Sequence, residues 1–190
     1  MIDTSFLTTG RYTGHQPVSD EVIQIWKDIK EKTDFKSMIE IGFNAGHSST
    51  IMLSLFPDIT IHSYDIGQFD TTLKNAEIVK EKFGNRFDYT IIDSTQIDYT
   101  TIADKFDIIF IDGGHDYPIV LSDIELALKA KIPYIVMDDM HAKGVKKAAF
   151  ERLKTKQVIY ENKYLAMLPT WMRDDKTKKR LTVPIKLYKA

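Results

Sequence analysis

Carboxylates fall in this chain where extended segments end. Glu40 lies within the apolar run Met38–Ile41, while Asp65, Asp93, Asp112 and the pair Asp138-Asp139 each follow a later run. A single aspartate behind a strand usually caps the next helix or fixes a turn. A series gathered on one edge would repel itself unless something cationic or hydroxyl-rich lay among its members. Glu40 is the least expected of them, because a buried parallel strand is apolar on both faces. Behind it comes Gly42-Phe43-Asn44-Ala45-Gly46-His47-Ser48, a glycine turn that opens a helix. Glycine lets a chain reverse tightly and lets backbone approach a ligand closely. The free amides of the following helix can meet a negative group. This is chemistry suited to a nucleotide-like ligand lying over the turn.

Asp65 lies roughly twenty residues past that turn, at the end of the second apolar run, where a carboxylate can hold both ribose hydroxyls of an adenosine. A dinucleotide site wants G-x-G-x-x-G, so that backbone can crowd against a pyrophosphate. Here Asn44 takes the middle place and His47 the last. That argues against NAD and for a cofactor without phosphate, whose amino-acid tail needs polar partners. Glu40 would serve its amino group, and Ser48 with the nearby amides its carboxylate.

These residues need a scaffold. Ser19 reads as an N-cap with Asp20 and Glu21 in the first turn. Val22, Ile23, Ile25, Trp26 and Ile29 follow at helical spacing to about Lys32, with Trp26 expected in the core. Apolar runs predict strands over 37–42, 60–64, 87–92, 106–111 and 134–137. Helical patterns between and after them predict helices over 46–56, 73–83, 118–131 and 143–153, and a weak helical segment over 99–105. Alternating β and α units imply an α/β fold, a doubly wound, mostly parallel sheet with helices on both faces. The stretches 157–168 and 181–188 predict closing strands, antiparallel at the sheet edge, on either side of the polar linker 173–180. Asn162-Lys163 is read either as a hairpin turn between strands or as the interior of one long strand.

The chain of 190 residues reads as one domain: a leader or lid over 1–17, a core over 37–153 and the closing strands over 154–190. It has no cysteine, which excludes disulfides, thiolate metal sites and cysteine nucleophiles. A net charge of −1 gives no bulk attraction to nucleic acid or to an anionic membrane. Met1–Gly10 lacks a basic region followed by an apolar core, and no apolar run approaches the ~20 residues of a membrane helix. The expected compartment is the cytoplasm.

Residues 37–153 resemble a class I S-adenosylmethionine-dependent methyltransferase. The sharper signal is Ile109-Phe110-Ile111-Asp112-Gly113-Gly114-His115-Asp116-Tyr117. It is similar to the small-molecule O-methyltransferases of the catechol and caffeoyl-CoA type and to the related sugar and macrolide enzymes. The resemblance implies that Glu40, Gly42, Asn44, Gly46 and Ser48 surround the methionine moiety and that Asp65 binds the ribose. It implies that Ser94 and Gln96, with Asp93 nearby, lie by the adenine, and that Asp112 borders the cofactor. It further implies a divalent metal, usually Mg2+, at Asp112, Asp138 and Asp139, with His115 and Asp112 as catalytic residues. His115 stands where catechol-type members place a lysine base, and Asp138-Asp139 where they commonly have Asp-Asn; the histidine points to the sugar or macrolide branch.

The expected function is metal-assisted O-methylation of a small hydroxylated acceptor: a sugar, natural product or polyphenol. Three aspartates suit Mg2+, Mn2+ or Ca2+ better than zinc. The alternatives are a metal-independent methyltransferase acting on nucleic acid or protein, and a non-catalytic S-adenosylmethionine-binding protein. His115 also reads as a helix cap, Asp138-Asp139 as helix-capping residues, and His141 as the other base or a fourth ligand. His15 and the run 176–180 read as surface, and Trp171 as a pocket wall or interface residue. Short loops leave an open site for a large acceptor, or one that a homodimer completes.

Overall fold

The Ser19 hydroxyl accepts a bond from the Val22 amide at 3.3 Å and so starts helix α1, Asp20–Thr33. Acids in its first turn and Lys30 and Lys32 in its last oppose the helix dipole. Val22, Ile25, Trp26 and Ile29 form its buried face. The computed structural model describes residues 2–8, 16–167 and 180–190. His15, Trp171 and the basic run 176–179, singled out from sequence, lie outside the described residues.

The strands are β1 (Ser37–Ile41), β2 (Thr60–Asp65), β3 (Phe87–Ile91), β4 (Ile108–Ile111), β5 (Tyr134–Met137), β6 (Gln157–Met167) and β7 (Arg180–Lys189). The helices after α1 are α2 (His47–Leu55), α3 (Asp70–Phe83), α4 (Tyr117–Lys129) and α5 (Lys143–Leu153). Sheet order is β3-β2-β1-β4-β5-β7-β6. The first five strands run parallel, with Glu40 in register with Ser63 on one side and Phe110 on the other. β7 runs antiparallel between β5 and β6. Asn162-Lys163 lies inside β6, paired with Ile185 and Pro184, so it is the interior of a long strand and not a turn.

Strand residues alternate between two cores, as the period of two requires. Met38, Ile108 and Phe110 face α1, α2 and α3; Ile39, Ile41, Ile109 and Ile111 face α4 and α5. The helical segment expected over 99–105 does not form. Only a 3-10 turn, Tyr99–Thr101, stands there, fixed by the Asp98 carboxylate accepting from the Thr100 amide at 2.9 Å. Such side-chain capture of backbone competes with helix propagation.

The order reverses direction between β1 and β4. In an open α/β sheet that reversal leaves a crevice at the carboxyl ends of the two strands, because their following helices leave to opposite faces. Gly42 and Asp112 stand at its lip.

Candidate functional site

Gly42 leaves β1 with φ +97, and a side-chain carbon there would come within 2.4 Å of the Asp112 carbonyl oxygen. Only glycine lets the β1 exit press against the β4 exit in this way. The ladder continues past the strands, with the Asp112 amide donating to Ile41 at 2.9 Å and the Asp138 amide to Ile111 at 3.1 Å. The exits of β1, β4 and β5 are thereby held side by side. The glycine turn is pinned at Asn44, φ +53, whose amide donates to Asp65 Oδ2 at 2.8 Å, while Asp65 Oδ1 accepts from the Gly67 amide at 2.7 Å. Asp65 therefore ties the loops after β1 and β2 together.

Glu40 is fully buried. Its Oε1 accepts from the Ser48 hydroxyl and its Oε2 from Ser49, at 2.5 Å, and from Ser63. Burial pushes its carboxyl above the usual range, against the pull of the three hydroxyls. The structure places Glu40 beneath the turn, clamping the first turn of α2 to β2. Gly46 precedes α2 with φ +83, packed on the Phe43 ring.

After β3, Asp93 is exposed and caps a 3-10 turn, Ser94–Gln96, by accepting from the Thr95 amide at 2.9 Å and its hydroxyl at 2.8 Å. These bonds hold its carboxyl below the usual range. Behind that turn lies Asp123 of α4, fully buried and with neither oxygen in a hydrogen bond of ordinary length. The Ser94 hydroxyl supports the ionised form only in part, so burial raises the carboxyl from 3.8 to about 6. The folded state thus holds this proton more tightly than the unfolded one. Stability is full below pH 4 and falls as pH rises through 6. Asp123→Asn is expected to stabilise the protein at pH 7.5 by up to about 3 kcal/mol and to make no difference near pH 4. Urea unfolding at the two pH values checks it.

The remaining acids meet at the exits of β4 and β5. Ligand atoms of Asp112, His115 and Asp139 lie within 4.8 Å of one another. His115 is exposed, with Nε2 2.6 Å from Asp139 Oδ2, and this hydrogen bond raises the imidazole's proton affinity despite its partial desolvation. His141 Nδ1 is 3.5 Å from the other Asp139 oxygen. Asp112 accepts no side-chain hydrogen bond from the described residues; burial, then Asp138, Asp139 and Glu40, drive its carboxyl well up. Asp138 is not part of the cluster. It is buried, with Oδ1 accepting from the Asp139 amide at 2.8 Å, and Oδ2 from Gln16 Nε2 and the Tyr164 hydroxyl, both at 2.9 Å. Its carboxyl is raised by burial and by Asp139.

Sequence reasoning missed Ser49, Ser63, Gln16 and Tyr164. Ser63 had a signal, a hydroxyl inside a strand that neighbours a buried glutamate. Gln16 and Tyr164 had none, since they reach Asp138 from 122 and 26 residues away.

Residues 39–140 match a family model described as a methyltransferase domain. The chain belongs to that family. It is a class I S-adenosylmethionine-dependent methyltransferase. No curated protein matches its sequence. Among solved structures, this methyltransferase is similar in fold to precorrin-6y C5,15-methyltransferase from Geobacter metallireducens. The TM-score is 0.67 and the identity 16%, over 99% of this chain and 96% of that one. It is also similar to the O-methyltransferase TomG from Streptomyces achromogenes, whose structure holds S-adenosylmethionine (TM-score 0.63, 16% identity, 92% of this chain and 82% of that one). A candidate caffeoyl-CoA O-methyltransferase from Staphylococcus aureus gives TM-score 0.63 at 17% identity, over 92% and 86% of the two chains. At such identities the likeness carries the fold alone. Among the described residues no helix is long and apolar enough to cross a membrane.

Proposed function

We propose that this methyltransferase moves the methyl group of S-adenosylmethionine to a hydroxyl of a small acceptor, assisted by a divalent cation. The observation that carries this reading is the convergence of Asp112, His115 and Asp139 at the exits of β4 and β5, beside the glycine turn. Two carboxylates and an imidazole within reach of one point form a donor set that fits a dication. A bound dication would supply Lewis acidity, lowering the pKa of an acceptor oxygen.

The chain's own residues do the rest. Asp65 keeps lone pairs beyond its two backbone bonds and is suited to the ribose hydroxyls. Ile66 beside it is 62% exposed, an apolar face for the adenine ring, and Ser94 and Gln96 offer polar atoms to the ring's edge. Gly42, Asn44 and Gly46 shape the turn over which the methionine moiety lies, and Glu40 fixes Ser48 below it. Transfer is an in-line displacement: the new oxygen–methyl bond forms as the sulfur–methyl bond breaks, leaving S-adenosylhomocysteine. The acceptor's proton passes to a group beside the donor set: His141, with Nδ1 3.5 Å from Asp139 Oδ1, stands where it can take it and hand it to solvent. Holding the acceptor oxygen in line with the methyl group is itself much of the catalysis.

Calorimetric titration of S-adenosylhomocysteine into wild type and Asp65→Ala tests the cofactor half. Micromolar affinity, weakened at least about tenfold in the variant and unchanged by a chelator, is expected. No heat at millimolar ligand would sink it. A second reading, favoured by the 2.6 Å His115–Asp139 contact, makes that pair a general-base dyad without metal. Turnover that survives chelation but not His115→Ala would select it.

A further inference from the structure

We propose that this site, on the reading just given, takes a first-row transition-metal dication in preference to Mg2+. Its protein donors are Asp112, His115 and Asp139, and Asp138 is held out of the set as a buttress that aims Asp139.

Two adjacent aspartates follow β5, and the structure gives them opposite duties. Asp138 is 1% exposed and receives three protein donors: the Asp139 amide, Gln16 Nε2 and the Tyr164 hydroxyl. Gln16 is itself fixed, because its Oε1 accepts from Trp26 Nε1 at 2.9 Å. Trp26 is wholly buried and meets Phe110 of β4 edge to face, with ring centroids 5.0 Å apart. Turning Asp138 toward an ion would strand these buried donors without an acceptor. The network runs from β6 and the segment before α1 to the exit of β5, and ends on the residue beside the cluster.

Asp139 is what that network positions. Its backbone is left-handed, φ +51, a state that aspartate adopts more readily than most side chains. The turn is held on both sides, by the Met140 amide donating to Pro184 at 3.0 Å and the Ala142 amide donating to Asp139 at 2.8 Å. From this turn the carboxylate reaches His115 Nε2 at 2.6 Å. The His115 segment is fixed in turn by α5, where a side-chain carbon at Gly144 would lie 2.1 Å from the His115 carbonyl oxygen.

Asp112 supplies a second, independent sign of a ligand. A carboxylate oxygen of Asp112 lies within 4.8 Å of ligand atoms of both His115 and Asp139, and the carboxylate accepts no side-chain hydrogen bond from the described residues. Among the described residues the groups beside these carboxylates that can carry positive charge are two imidazoles, His115 and His141, and each does so only when protonated. A dication would satisfy both carboxylates at once. An imidazole in the set decides which dication: Mg2+ prefers oxygen donors, whereas Mn2+, Co2+, Ni2+ and Zn2+ accept imidazole nitrogen readily.

The test uses the full chain with S-adenosylhomocysteine bound, titrated calorimetrically with Co2+, Mn2+ and Mg2+, with Co2+ followed also by its visible absorption. Co2+ is expected to bind at least about tenfold tighter than Mg2+, and His115→Ala to erase that preference. Asp139→Asn should lose far more affinity than Asp138→Asn. Tyr164→Phe, a mild change that frees one oxygen bond on Asp138, should weaken binding by about tenfold if Asp138 is a buttress. If Asp138 were a ligand, the same change would leave affinity equal or higher. Mg2+ binding as tightly as Co2+, an unchanged preference in His115→Ala, or equal losses in Asp138→Asn and Asp139→Asn would each overturn the proposal. A protein that binds S-adenosylhomocysteine but no dication overturns this inference alone; one that binds neither overturns the cofactor reading as well.

Discussion

Glu40→Ala is expected to destabilise the protein by about 2–4 kcal/mol, the cost of stranding buried hydroxyls and opening a cavity beneath them. The carboxylate gathers Ser48 and Ser49 from α2 and Ser63 from β2. Its removal leaves buried hydroxyls competing for one remaining contact, Ser49 to Ser63 at 3.1 Å. It also leaves a cavity under the first turn of α2, where the backbone of the glycine turn is set. Cofactor affinity should fall with stability, because the turn and the helix start move together. Glu40→Gln is the informative partner. Its amide oxygen still accepts and its nitrogen can donate to a serine hydroxyl, so about 1 kcal/mol or less should be lost. Urea unfolding of the two variants measures the difference. Equal stability in Glu40→Ala and wild type would mean that the carboxylate clamps nothing and is free to meet a ligand.

Asp112→Asn should produce effects of opposite sign on stability and on activity. In the metal-free protein, burial and the nearby Asp138, Asp139 and Glu40 make the ionised carboxylate unfavourable. A carboxyl raised in the folded state contributes its full stability below its unfolded value and loses it as pH rises through the folded one. Asn removes that loss, so the metal-free variant should be more stable than wild type near neutral pH and equal to it in acid. Methyl transfer should fall on the order of 10²–10⁴-fold, the scale of a group acting directly on the reacting proton or its activator. S-adenosylhomocysteine affinity should change by only a few-fold, since Asp65 and the turn remain. Labelled-methyl transfer to a hydroxylated acceptor found by screening, beside thermal unfolding at two pH values, reads both. Retained transfer would remove Asp112 from the chemistry.

The sequence by itself determined the layered fold and the neighbourhood of the site. Apolar runs of strand length alternating with helical patterns leave few topologies other than a doubly wound sheet, and chirality then brings the strand ends to one edge. The glycine turn was legible because Gly42 and Gly46 sit where backbone must take positive φ, a demand local to a few residues. The position of Asp65 behind β2 was legible for the same local reason.

What only the tertiary structure decided is where each side chain ends its reach. Asp138 and Asp139 are neighbours of the same type, and sequence gave no ground to separate them. Gln16 and Tyr164, brought from distant parts of the chain, take the first and leave the second to face His115. Glu40 stood out in sequence as an acid inside a strand, and only the structure shows Ser48, Ser49 and Ser63 donating to it. The insertion of β7 between β5 and β6, the arrangement in which Tyr164 of β6 reaches Asp138, depends on edge pairing between segments with no local signal of their partner. Local propensity and spacing fix elements, because hydrophobic period, caps and turn residues act within short stretches. Hydrogen-bond partners of buried side chains are chosen by packing across the whole molecule.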